Sequence, residues 1–155
     1  MEKVLLVIDL QKEFYKDGKE KHLLEYIKQN RHKYSKIIAT LFINDVNSNK
    51  NFIECLDWNG CTDVNEGSLE FEYDEVIKKN SYGICFKDLE RFIDCEVDVI
   101  GCDTDACVLA NCYLLFDNNF KFNILREYVY SSSSDVSINT YALKIMARNF
   151  GKSLK

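Results

Sequence analysis

The chain has no proline, two histidines and a single tryptophan. It also has no cluster of basic residues, no apolar run of membrane-spanning length and no CxxC pair. Each absence removes something. Without proline, any cis peptide bond would be of the non-proline kind. Lysines and acids are interspersed and the net charge is −5, so the footprint of a nucleic-acid partner is missing. No stretch approaches bilayer length, so no membrane partner is expected. After the opening apolar run come Asp9, Gln11, Lys12 and Glu13 rather than a small-residue cleavage site. That run reads as a strand, not an export signal, and a cytoplasmic location is expected.

Cysteine is not scarce. There are seven, Cys55, Cys61, Cys85, Cys95, Cys102, Cys107 and Cys112. An odd count without an export signal argues against a disulfide framework. Most are expected to be small buried apolar residues.

With 155 residues, 46% hydrophobic and 29% charged, the chain reads as one globular domain over 1–155. There is no internal repeat and no linker, and the acidic bias from Asp63 to Glu75 reads as a solvated loop. Lys3–Ile8 and Lys36–Ile43 are near-continuous apolar runs, as strands buried on both faces are. Leu23, Leu24, Ile27 and Tyr34 form a helical face between them. Asn44–Glu72, rich in Asn, Asp and Gly, reads as a long loop with one short helix, and such loops are often functional. Glu75–Lys78 is a third strand. Phe86–Ile93 is helical, with Phe86, Leu89, Phe92 and Ile93 on one face. Val97–Cys102 is a fourth strand. Ala106–Phe116 is a helix whose inner face is Leu109, Cys112, Tyr113 and Phe116. Lys121–Leu125 is a fifth strand. Ser131–Asp135 is a turn and cap signal, and Ile138–Asn149 is a last helix stopped by Gly151.

This alternation predicts an α/β, doubly wound (Rossmann-like), mostly parallel sheet of five or six strands with helices on both faces. Only Gly151–Lys155 follows the last helix, room for no more than a stub of a sixth strand. Sites in such sheets lie beyond the carboxyl ends of the strands. Asp9 after the first strand, Lys79 after the third and Cys107 after the fourth fall there. In the segment "VIGCDTDACVLANCYLLF", a thiol opens a helix just past a strand end. Packing accounts for such a cysteine, and so does nucleophilic chemistry. A helix N-terminus and a nearby cation favour the thiolate, and Asp9 is a base within the same constellation. His22 and His32 both lie in the polar first helix, so a Cys–His pair is not expected.

These residues resemble the isochorismatase-like family of cysteine hydrolases, which includes nicotinamidases and carbamoyl-amine amidohydrolases. "LLVIDLQKEF" is similar to the family's opening strand with Asp9 and Gln11. "VIKKNSY" is similar to the segment that carries the active lysine, in a register selecting Lys79 and Tyr82. "VIGCDTDACVLANCYLLFDNNFKFNILRE" is similar to the nucleophile block. The resemblance implies catalytic Asp9, Lys79 and Cys107. It implies a cis bond between Cys102 and Asp103, and an oxyanion hole made by the backbone N–H groups of Asp103 and Cys107. Gln11, Phe14, Trp58 and Tyr82 are candidate substrate contacts. Nicotinamidases hold a metal through an Asp-x-His after the second strand. Counting from Thr40, the equivalent positions are Phe42 and Asn44, so no metal and no other cofactor is expected. Isochorismatases proper lack the cysteine.

The resulting expectation is a metal-independent hydrolase cleaving a C–N bond of a small amide or carbamoyl compound through a thioester, and a homo-oligomer, as family members often are. The alternatives are a non-enzymatic thiol module, for redox or binding, on the same fold, and a structural domain whose role lies in its oligomer.

Overall fold

The structure is a computed structural model and describes residues 1–155. Five strands, β1 (Lys3–Ile8), β2 (Lys36–Phe42), β3 (Glu75–Lys79), β4 (Glu96–Cys102) and β5 (Lys121–Tyr130), form one sheet in the order β3-β2-β1-β4-β5. Every pairing is parallel. The chain winds outward from β1 on one side through β2 and β3, then returns to the other side for β4 and β5. The switch point therefore lies between β1 and β4, where Ile8 pairs with Gly101.

The helices are α1 (Lys19–Asn30), α2 (Asn51–Glu54), α3 (Phe86–Leu89), α4 (Leu109–Asp117) and α5 (Val136–Phe150). Because successive strand side chains point to opposite faces, β1 serves two cores. Leu5 and Val7 pack with Leu23 and Ile27 of α1. Val4, Leu6 and Ile8 pack with Cys112 and Leu115 of α4 and Met146 and Phe150 of α5. Each such apolar side chain contributes about 1.5–3 kcal/mol by leaving water. No helix is long and apolar enough to cross a membrane.

Three elements differ from the sequence reading. Phe86–Ile93 is not one regular helix: α3 is a single turn, followed by a 3-10 turn over Glu90–Phe92, and Ile93 is exposed. Phe86, Leu89 and Phe92 are spaced by three, which a 3-10 turn aligns on one side. The buried stripe of the α4 region is Val108, Asn111, Cys112 and Leu115, while Tyr113 and Phe116 are exposed. The predicted face was rotated by one residue because the carboxamide of Asn111 faces inward. Tyr113 and Phe116 instead rest on the Phe150 ring of α5, at 5.0 and 5.6 Å between centroids. Finally, β5 continues to Tyr130 beyond the predicted Leu125. Its register with β4 shifts between Val99 and Gly101, and pairing resumes at Val129 and Tyr130 past exposed Arg126 and Glu127.

The sixth strand is a stub. Leu154 bridges Ile124 in parallel, with Lys155 N–H donating to Ile124 O at 2.9 Å and Arg126 N–H to Lys155 O at 3.0 Å. Of the cysteines, Cys61, Cys102, Cys107 and Cys112 are buried, Cys95 is half-buried, and Cys55 and Cys85 are exposed.

Candidate active site

Asp9 directly follows β1, Lys79 ends β3 and Cys107 lies in a π-helical turn, Thr104–Val108, that leads from β4 into α4. Sheet order brings them together. Lys79 pairs in register with Phe42 of β2, one strand from β1, and its side chain reaches across that strand. Its ammonium has three donors and all are used: Asp9 Oδ2 at 2.7 Å, Ser81 O at 2.8 Å and Cys107 Sγ at 3.4 Å. Asp9 and Lys79 are a buried ion pair, with side chains 0% and 4% exposed. Such a pair persists when its remaining polar atoms are also satisfied, and here they are.

Asp9 has φ of 47°, a left-handed conformation that non-glycine residues adopt rarely and often at functional positions. Its N–H donates to Thr40 Oγ1 at 2.9 Å, and Thr40 Oγ1 donates in turn to Asp9 Oδ1 at 2.5 Å. Its carbonyl accepts from Gln11 N–H at 2.9 Å and from the Cys102 thiol at 3.1 Å. Gly101 makes room on the β4 side. At its φ of +127°, an added Cβ would lie 2.1 Å from Ile8 O, so only glycine lets β4 approach β1 this closely.

Burial raises the Cys107 thiol above its ordinary value, and the facing Asp9 carboxylate raises it further, while Lys79 pulls the other way. The helix start and the cation favour the thiolate, while burial and Asp9 oppose it. Burial disfavours charge on Lys79, but Asp9 and Cys107 outweigh it and its pKa stands above the usual lysine value. Lys79 is therefore a fixed cation. Through this ammonium the Asp9 carboxylate and the Cys107 thiol share one donor.

The peptide bond between Cys102 and Asp103 is cis. The Asp103 carboxylate is held by Ser132, through its N–H and its hydroxyl, both at 2.8 Å. Asp105 accepts from Ser131 Oγ at 2.6 Å. Asn111 is wholly buried and joins the loop after β3 to the nucleophile turn. It accepts from Ile84 N–H at 2.8 Å and donates to Cys107 O at 2.8 Å and to Tyr82 O at 3.2 Å.

Cys107 and Asp103 line a cavity of about 420 Å³, together with Phe14, Trp58 and Tyr82. Three of the four candidate contact residues are thus at its wall. Gln11 is not, and this is a correction. It is fully buried, accepting from Phe42 N–H at 2.8 Å and donating to Phe42 O at 3.0 Å, so it clamps the end of β1 to β2. The walls also include Phe42 and Phe52, which sequence reading did not single out. Phe42 sits beneath Lys79, with the ammonium 5.1 Å from its ring centre. Thr40, Asn111, Ser131 and Ser132 were missed as well. Asn111 had a signal, a lone carboxamide inside an apolar helical run. Ser131 and Ser132 were read only as a turn before Asp135, which does cap α5.

No three His, Cys, Asp or Glu side chains converge to hold a metal ion. At the positions equivalent to a metal-ligand pair, Phe42 offers a ring and Asn44 one neutral amide, whose Nδ2 donates to Gly60 O at 3.1 Å and whose buried Oδ1 has no partner. His22 is away on α1, stacked on Tyr128 at 4.6 Å. This donor set does not fit a metal.

No family model matches the chain, and no curated protein matches it in sequence. Solved structures share its fold. A nicotinamidase from Bacillus subtilis superposes with a TM-score of 0.74 at 15% identity, covering 99% of each chain. A pyrazinamidase of Pyrococcus horikoshii in complex with zinc gives 0.72 at 22% identity, covering 100% of this chain and 98% of the other. An isochorismatase-like hydrolase from Alkaliphilus metalliredigens gives 0.72 at 16% identity, covering 96% and 92%. The chain has the isochorismatase-like α/β fold.

Proposed function

We propose that this chain is a metal-independent cysteine hydrolase of the isochorismatase-like family, cleaving a C–N bond of a small amide or carbamoyl compound. The observation that carries the reading is Lys79 Nζ, placed 2.7 Å from Asp9 Oδ2 and 3.4 Å from the Sγ of Cys107, which lines an aromatic-walled cavity. The nicotinamidase and pyrazinamidase relatives support amide chemistry on this fold.

In this mechanism Asp9 takes the proton of the Cys107 thiol as Sγ attacks the substrate carbonyl carbon. The carbonyl oxygen gains the charge and is held by the N–H groups of Asp103 and Cys107, each such donor contributing about 3 kcal/mol in the transition state. The tetrahedral intermediate collapses, Asp9 gives its proton to the leaving nitrogen, and the amine or ammonia departs. Water then attacks the thioester, with Asp9 again as base, and releases the acid and the thiol. Lys79 keeps its charge throughout. It orients Asp9 and stabilises Sγ as negative charge builds there.

The burial of Cys107, 7% exposed, argues against the redox-sensing alternative, since sensor thiols are solvent-accessible. The test is ammonia release from a panel of primary amides and carbamoyl compounds, with Cys107→Ser alongside. Turnover by the parent and a loss of about a thousandfold in a folded Cys107→Ser is expected. Equal turnover by that variant would overturn the assignment.

A further inference from the structure

The cavity above Cys107 has three carboxylates at its wall, Glu13, Asp103 and Asp105. Each is anchored by neutral donors: Glu13 by Ser68 Oγ at 2.6 Å, Asp103 by Ser132 and Asp105 by Ser131. None takes part in an ion pair; the chain's salt bridges lie elsewhere. Lys79, which contacts Cys107, is already matched by Asp9. The remaining walls are aromatic. Phe14 and Trp58 lie near-parallel, 20° apart with centroids at 6.4 Å, and Tyr82 meets Phe52 edge-on at 5.2 Å. Unmatched carboxylates beside low-dielectric aromatic walls focus a negative potential on the space between them. Ring faces add to the same preference, because they too attract cations. An anionic substrate would meet repulsion here with no side chain to answer its charge.

We infer that the site takes amides whose non-reacting end is flat and positively charged, and turns away those that carry a carboxylate. The inference rests on the hydrolase reading above and names its substrate class. Its volume, about 420 Å³, suits a single-ring compound.

The experiment has two arms. In the first, kcat/KM is measured for 4-(aminomethyl)benzamide, benzamide and 4-carboxybenzamide, which differ in charge at one end. The cationic amide is expected to exceed the anionic one by about tenfold or more at low salt, with the ratio falling as salt rises. In Glu13→Gln/Asp105→Asn, which keeps acceptors for Ser68 and Ser131, the ratio is expected to shrink toward one. In the second arm, Cys107 is modified with cationic and anionic methanethiosulfonates, read by peptide mass mapping and normalised to a small free thiol. The cationic reagent is expected to be faster, and the advantage is expected to fall in the same double variant. Equal or faster reaction of the anionic reagent overturns the charge assignment, whether or not any amide is cleaved. A cationic preference in labelling with no amide cleaved overturns the hydrolase reading and leaves the charge assignment standing.

Discussion

Thr40 Oγ1 holds Asp9 twice, accepting its backbone N–H at 2.9 Å and donating to its Oδ1 at 2.5 Å. One hydroxyl on β2 thereby sets both the backbone and the carboxylate direction of Asp9, the proposed base just past β1. Thr40 lies beneath the site and is not at the cavity wall. Thr40→Val keeps the shape and removes both hydrogen bonds. We expect kcat to fall by about 10- to 100-fold with KM little changed, because a misplaced base slows chemistry without altering binding. Thr40→Ser is expected to restore most of kcat. Steady-state kinetics on the three proteins decide the matter, and a loss that appears in KM alone would contradict this role.

Removing Lys79 isolates the buried carboxylate of Asp9, whose side chain is 0% exposed. Lys79→Met is expected to lose about 3–5 kcal/mol of stability, because an uncompensated charge remains in the interior. Asp9→Asn combined with Lys79→Met is expected to recover most of that loss and none of the activity. Urea denaturation midpoints measure the first part and ammonia release the second. Equal destabilisation of the single and double variants would show that the two charges are not coupled.

Burial raises the pKa of Cys112 and Cys107, and that of Cys61 up to about 12, against an ordinary thiol value of 9.0. The folded state therefore keeps protons that the unfolded state gives up. This stability is fully present below the ordinary thiol pKa and is lost as pH rises through the folded values. We expect unfolding free energy to decline from about pH 9 upward, with a shallower slope in Cys112→Ala. Cys112 is the cleanest probe because burial is the sole cause of its shift. Iodoacetamide labelling checks the same point. Exposed Cys55 and Cys85 are expected to react first at neutral pH, with Cys107 lagging. Preferential labelling of Cys107 at neutral pH would contradict a raised thiol pKa there.

Hydrolysis is expected to survive exhaustive chelation. The reason is the donor set: the Phe42 ring lies under Lys79, and Asn44 offers a single neutral amide oxygen with no His, Cys, Asp or Glu cluster beside it. Loss of activity in EDTA, restored by zinc, would overturn metal independence. The measurement is ammonia release before and after dialysis.

Much of this protein was determined locally. The apolar runs at Lys3–Ile8 and Lys36–Phe42 mark strands buried on both faces, since no half-exposed strand omits polar alternation. Their alternation with helical segments yields a parallel sheet, and the carboxyl ends of its strands place Asp9, Lys79 and Cys107 in one region. What the tertiary structure decided was register and partnership. Gln11 looked like a substrate contact because its spacing from Asp9 says nothing about direction; β2 captured its carboxamide through Phe42. Asn111 rotated the buried face of α4 because its amide found three partners across the helix boundary. The Cys107 pKa is raised by burial and by a carboxylate 98 positions earlier in the chain, neither of which a helix start reveals. Thr40 reads as an ordinary strand residue. It becomes a support for the base only because β1 and β2 are neighbours in this register. Periodicity encodes which residues face inward, but the identity of the group each one meets is set by strands that are far apart in sequence, and only folding brings them together.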